Sequence, residues 1–322
     1  MSAFRSRRVL IVGGLGFIGG NLSRRLARDG AAVTVVTPLR ARHEADAAEL
    51  ESVGARIVEG DVRERDQMTR AVAGQDVIVN LAGRSGAVRS MQDPWTDLDV
   101  NCGGALSLLE AMKTANSDAM LVVTGSRLEY GRVGSNPVNE THAADPLCVH
   151  AIHKLTIERY LALYRRLFGI RSVVARLTNP YGPGQPRART AYGVVNRMIH
   201  LALGGEALPI FGDGRQQRDY IYIDDAVEAL LALAASDTAE GVYNVGTGAG
   251  TALVDMARAI VAIAGSGRIE HVEWPPLAEQ IETGDFIADV SRIRRDVGWR
   301  AAVTLGDGLQ RTVSHYRAHV PS

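Results

Sequence analysis

At 322 residues and 46% hydrophobic content, the chain is long enough to bury one large α/β core and a smaller lobe. Its 36 basic residues balance 36 acidic ones, so no global field draws it to nucleic acid or to an anionic membrane. Cys102 and Cys148 lack metal-type spacing and no apolar run approaches about 18 residues, which argues against a disulfide framework, a zinc site or a membrane span and predicts a soluble, cytoplasmic protein.

In chain order, "RVLIVGG", "AAVTVVT", "ARIVEGD", "DVIVNLAG", "AMLVVTGS" and "RSVVARLT" read as strands, with amphipathic helical stretches at 17–29, 65–73, 95–115 and 150–168 between them. Continuously apolar strands separated by helices imply a parallel sheet covered on both faces, a doubly wound Rossmann-type α/β fold. Directly after the first strand, Gly13, Gly16 and Gly19 open a helix at the spacing that lets a pyrophosphate approach the backbone and the helix N-terminus, which predicts a dinucleotide site. The second strand ends in Thr37 rather than in an acid for the adenosine ribose, with Arg40 and Arg42 just beyond. Losing that carboxylate removes repulsion against a 2′-phosphate, so the cofactor is NAD or NADP, unless the arginines simply begin a solvated helix. Asp61 and Val62, after the third strand, stand where such folds contact adenine.

The pattern changes after Thr178. A loop, "NPYGPGQP", leads to a helix near 191–203, short strands at 208–211 and 219–223, and further helices. The expected division is a dinucleotide-binding domain over 1–178 and a smaller substrate lobe over 179–322, with 224–245 returning to the main sheet and the site in the cleft between them.

These segments together, with "DPWTDLDVNCGGALSLLEAM", "RLTNPYGPGQ", "FGDGRQQRDYIYIDD" and "TGDFIADVSRIRRDVGW", resemble the extended short-chain dehydrogenase/reductase family, specifically its nucleotide-sugar epimerases and dehydratases. The resemblance covers almost the whole chain and adds Phe17, Ile18, Leu81 and Ala82 to the cofactor contacts. It implies chemistry by a Ser or Thr, a Tyr and a Lys spaced Y-x-x-x-K. Ser126 matches the hydroxyl, with Thr124 nearby, and Lys154 matches the lysine; the tyrosine position holds His150. Lys154 is one of only two lysines among the 36 basic residues, Lys113 being the other, so a compact ammonium retained there suggests contact with the cofactor ribose and tuning of its neighbour.

His150 changes the electrostatics. A tyrosinate base starts negative and ends neutral, whereas imidazole starts neutral and ends positive beside Lys154 and an oxidised nicotinamide. One unit charge at about 5 Å and an effective dielectric near 20 costs roughly 3 kcal/mol, about two pKa units. Histidine is therefore a poor base for oxidation unless a carboxylate on substrate or protein offsets the charge. In the reducing direction the sign improves, because imidazolium gives up its charge. His153 is expected at the surface, and Cys148 fits a replaced hydroxyl residue better than a nucleophile.

Family dehydratases carry an Asp-Glu pair after the Ser/Thr. Arg127 and Leu128 stand there, which disfavours elimination, although Glu129 follows. On the substrate side the resemblance assigns Asn179 and Arg218 to the diphosphate and "LPIFGDG" to the nucleotide base. A second phosphate arginine is replaced by Glu282 and Thr283; Arg187 and Arg189 could compensate or be solvated. The reading is an NAD(P)-dependent epimerase of a nucleoside-diphosphate sugar acting by transient oxidation, most plausibly at C4. An NADPH-dependent keto-sugar reductase and a cofactor-binding pseudoenzyme are the alternatives. The apolar faces of 95–115 and 150–168 imply, by resemblance, a homodimer joined through a four-helix bundle.

Overall fold

The computed structural model describes residues 3–38, 40–185 and 193–319. Its first half alternates β1 (Arg8–Val12), α1 (Phe17–Arg28), β2 (Ala32–Thr37), α2 (Glu44–Ser52), β3 (Arg56–Glu59), α3 (Arg65–Val72) and β4 (Val77–Asn80). Then come α4 (Ala87–Gln92), α5 (Pro94–Leu98), a π-helical turn over Asp99–Gly103, α6 (Gly104–Ala115), β5 (Met120–Ser126), α7 (Val149–Phe168) and β6 (Ser172–Leu177). The single helix expected over 95–115 is thus interrupted at Asp99–Gly103, a feature that is common at functional sites.

Seven parallel strands form the main sheet in the order β11-β6-β5-β4-β1-β2-β3, where β11 is Gly241–Val245. Side chains alternate across it, as a strand's period of two requires. Val9 and Ile11 face one apolar layer, with Leu22 and Leu26 of α1; Leu10 and Val12 face the other, with Leu108 and Met112 of α6 and Ile157 and Leu161 of α7. The strand order reverses between β1 and β4, which opens a crevice at the carboxyl edge of the sheet, the usual ligand position in such folds.

After β6 the chain forms a second set of elements: β7 (Asn179–Tyr181), α8 (Val194–Leu203), β8 (Ala207–Phe211), β9 (Gln217–Arg218), β10 (Tyr220–Tyr222) and α9 (Ile223–Ala235). β11 then pairs in parallel with β6, so this segment rejoins the main sheet. Two-stranded pairs β7–β10, β8–β13 (Arg268–Val272) and β9–β12 (Thr251–Ala252) complete the smaller region. The buried Asp219 carboxylate ties three of its segments together by accepting from the backbone amides of Thr247 (2.8 Å), Gly248 (3.0 Å) and Ala288 (3.3 Å).

Candidate active site

The turn after β1 is shaped by contacts that only glycine permits. Gly13 has φ +87°, and a Cβ there would stand 2.8 Å from the Ala82 backbone nitrogen after β4. A Cβ on Gly19 would run into the Gly13 carbonyl oxygen. Gly16 is the N-cap of α1 and carries no side chain, so the first amides of that helix are left to an anion. Phe17 and Ile18 are half-buried in the first helical turn. Leu81 continues the β4 edge by donating its N–H to Val12 (2.8 Å), and Ala82 donates to Asn80 Oδ1 (3.1 Å). This cradle fits the pyrophosphate of a nicotinamide dinucleotide.

Thr37 is fully buried at the close of β2. Arg40 is engaged by Glu51, Nη1 to Oε1 at 2.7 Å. Arg63 wraps the Asp61 carboxylate with bonds from Nε (2.9 Å) and Nη2 (2.7 Å) and holds it below the usual carboxylate range. Val62 is buried and packs where a side chain on Gly104 would have to go.

Ser126 ends β5 and caps a short 3-10 turn over Arg127–Tyr130. Its Oγ accepts the Leu128 N–H (3.2 Å) while the Glu129 carboxylate accepts the Ser126 N–H (2.6 Å), a reciprocal capping box. Glu129 is wholly buried and its other oxygen meets Arg176 at 3.1 Å. Arg176 also holds Glu158 through two bonds of 2.8 and 2.7 Å. Burial, then the proximity of Glu158, raises the Glu129 carboxyl well above its ordinary range, because one guanidinium serves two buried acids. The residue that left elimination open is therefore committed to the scaffold beneath the site.

His150 and Lys154 lie one turn apart on α7 and so on one face. The His150 backbone N–H donates to Ser90 Oγ of α4 at 3.0 Å, which seats the helix mouth. Lys154 Nζ donates to the Thr124 carbonyl at 2.8 Å, joining α7 to β5 two residues before Ser126. Burial lowers the Lys154 pKa, while the Glu129 and Asp97 carboxylates act in the opposite sense. His150 is 5% exposed, and its Nδ1 is buried without a hydrogen-bond partner.

Asp97, on α5, stands 3.8 Å from that nitrogen through Oδ2. Its Oδ1 is bonded to His153 Nδ1 (2.7 Å) and accepts from Asn101 Nδ2 (2.8 Å). Burial would raise this carboxyl, but the two histidine rings and the Asn101 amide outweigh it and hold it at about 2. His153 is therefore buried rather than at the surface, because its ring is the direct partner of a buried carboxylate. Sequence reading passed over Asp97. The available signal was the helical i,i+4 spacing of Asp97 and Asn101 in "DPWTDLDVN". At about 4 Å a unit charge contributes roughly 4 kcal/mol at an effective dielectric of 20, enough to offset the Lys154 charge felt by an imidazolium. Cys102 and Cys148 are free buried thiols, both pushed up by burial and Cys102 to about 11, which leaves neither as a ready nucleophile. No metal-binding cluster occurs among the described residues.

Toward the smaller region, Asn179 donates Nδ2 to the Asp219 carbonyl (2.8 Å) and accepts a long bond from Arg127 Nε (3.4 Å). Arg127 also donates to Thr283 Oγ1 at 2.9 Å; burial, then the charge of Arg218, lowers its pKa to about 9. Arg218 donates to the Glu282 carboxylate and to the Gly284 carbonyl. Two guanidiniums thus converge on the 282–284 segment. Arg187, Arg189 and the Arg42 side chain lie outside the described residues.

The profile of the NAD dependent epimerase/dehydratase family matches residues 9–246. A UDP-glucose 4-epimerase of Mycolicibacterium smegmatis is 31% identical over 318 residues, covering 96% of this chain and 98% of that protein. The crystal structure of a UDP-glucose 4-epimerase with UDP-glucose from Thermotoga maritima superposes with a TM-score of 0.87 at 30% identity, covering 97% of this chain and 99% of that one. A dTDP-glucose 4,6-dehydratase of Streptomyces venezuelae with NAD bound gives a TM-score of 0.88 at 26% identity, covering 97% of each chain.

Proposed function

From the premise that this chain belongs to the NAD dependent epimerase/dehydratase family, we propose that it is an epimerase that oxidises a nucleoside-diphosphate sugar transiently at C4 and reduces it again. The Gly13–Gly19 cradle would hold NAD, which would supply the hydride-transfer chemistry. The remaining tasks fall to side chains. His150 takes the proton of the reacting hydroxyl and gives it back. Ser126, whose oxygen already accepts a backbone N–H, directs its own proton to the reacting oxygen. Lys154 holds the ribose and tunes the imidazole. Arg127, Arg218 and Asn179 receive the diphosphate.

The observation that carries this reading is the Lys154–Thr124 bond, which brings the helix face bearing His150 against the end of β5 that presents Ser126. The burial of Glu129 in its pair with Arg176 favours epimerisation over dehydration, since the acid that follows Ser126 is held inside the scaffold. The relatives' substrates support UDP- or dTDP-sugars as the class. A homodimer is proposed as well, on the exposed apolar side chains of the two helices that flank the site, Trp95 at 78% and Leu167 at 58%.

The test is to denature the purified protein, identify the released dinucleotide by mass, and incubate native protein with UDP- and dTDP-hexoses while following the C4 configuration by NMR. Retained NAD and inversion without added cofactor are expected. Stoichiometric consumption of NADPH with a keto-sugar identifies a reductase instead. Neither activity, with His150→Ala indistinguishable from the native protein, identifies a pseudoenzyme.

A further inference from the structure

Asp97 is outside the trio that the proposed reaction uses, yet it is the buried anion nearest the imidazole that the reaction depends on. Resting on the role given to His150 above, we propose that Asp97 is its positioning residue. The carboxylate fixes the proton of the neutral ring on Nδ1, leaves Nε2 as the atom that exchanges the sugar proton, and balances the charge the ring then gains.

The geometry supports the pairing of Asp97 with Nδ1, and Nε2 is the ring nitrogen this pairing leaves over. Oδ1 of Asp97 is already committed to His153 and Asn101, while Oδ2 faces His150 Nδ1 across 3.8 Å. That nitrogen is buried and otherwise unpartnered, a costly arrangement unless an acceptor comes within reach. Closing the gap needs a movement of about 1 Å, and hydrogen bonds between catalytic groups are often long before substrate binds. Which nitrogen of a histidine carries the proton is set by the bond the other one makes.

The charged and titratable groups around the ring come from every element packed on it. Asp97 lies on α5 and favours the imidazolium. Burial opposes it most and leaves the His150 pKa lowered, Lys154 and His153 on α7 act in the same sense as burial, and Glu129 lies beyond Lys154 in the 3-10 turn. Cys102 in the π turn and Cys148 at the helix cap are neutral thiols, and Ser90 of α4 offers a hydroxyl used by the backbone. Asp97 is thus the anion that meets the ring directly, and the π turn that follows it sets its register through Asn101, whose Oδ1 also accepts the Arg84 N–H at 3.1 Å.

The experiment is an imidazole NMR titration of the full-length protein, with His150 resonances assigned by the His150→Gln variant. In the native protein the 15N couplings of His150 above neutral pH are expected to report the Nδ1–H tautomer, and an Nε2–H tautomer overturns the proposal without any variant having to fold. In Asp97→Asn the proton affinity of His150 is expected to fall about tenfold or more, and the acidic limb of kcat/KM to move to lower pH with it. A titration in which only His153 moves shows that Asp97 serves His153 alone, and overturns the proposal. The tautomer and the NMR titration follow the ring rather than the reaction. The expected tautomer in a protein without epimerase activity leaves the pairing intact and sinks the functional reading; the reverse result does the opposite.

Discussion

The Glu282 carboxylate sits on the guanidinium of Arg218, the residue proposed to meet the substrate diphosphate. Glu282 Oε1 also accepts the Gly284 N–H at 3.0 Å, so the acid both neutralises the arginine and shapes its own loop. A phosphate at Arg218 competes with this carboxylate for the guanidinium. Glu282→Gln is therefore expected to tighten binding of UDP or dTDP about tenfold, the order of one charged hydrogen bond, measured by isothermal titration calorimetry. Weaker binding in the variant would mean that the acid organises the phosphate site instead of occupying it.

The ribose end leads to a prediction about cofactor choice. Thr37 removes the acid that discriminates against a 2′-phosphate, but Arg40 is already paired with Glu51. NAD is expected to bind at least about tenfold more tightly than NADP. Glu51→Ala should free Arg40 and narrow that ratio, with dissociation constants measured on protein stripped of its dinucleotide. An unchanged ratio would remove Arg40 from the ribose pocket.

Beneath the site, the Glu129 carboxyl is raised well above its ordinary range by burial and by Glu158. A group whose folded pKa is raised contributes stability fully below its unfolded pKa, near 4.5, and loses it as pH rises through the folded value. Glu129→Gln keeps an acceptor for the Ser126 N–H while removing the charge. The variant is expected to melt about 2 °C or more above the native protein at pH 8, the gap closing toward pH 5, by calorimetry at both values. A gap that widens on acidification would show that the Arg176 pair holds Glu129 ionised.

Much of the architecture was legible because it is written locally. The runs "RVLIV" and "VIVN" are apolar at every position, as two-sided burial demands, and the Gly13–Gly19 spacing directly follows the first of them. His150 and Lys154 share a helix face by their spacing alone. His153 was misjudged for an instructive reason: helical geometry gives the direction a side chain leaves the axis, not whether another helix covers it.

What the chain's linear order determined was therefore the parallel sheet, the glycine turn after its first strand and the family, since each depends on periodicity or on near neighbours. Tertiary structure alone decided which charges meet. Asp97 reaches His153 across 56 positions and Arg218 reaches Glu282 across 64, and such pairs arise where separate elements pack, with nothing in either local segment to announce the other. Because a charge's effect depends on distance and on exclusion of water, the surroundings of the His150 ring were set by packing: burial lowers its pKa, and the Asp97 carboxylate brought by α5 acts against that shift.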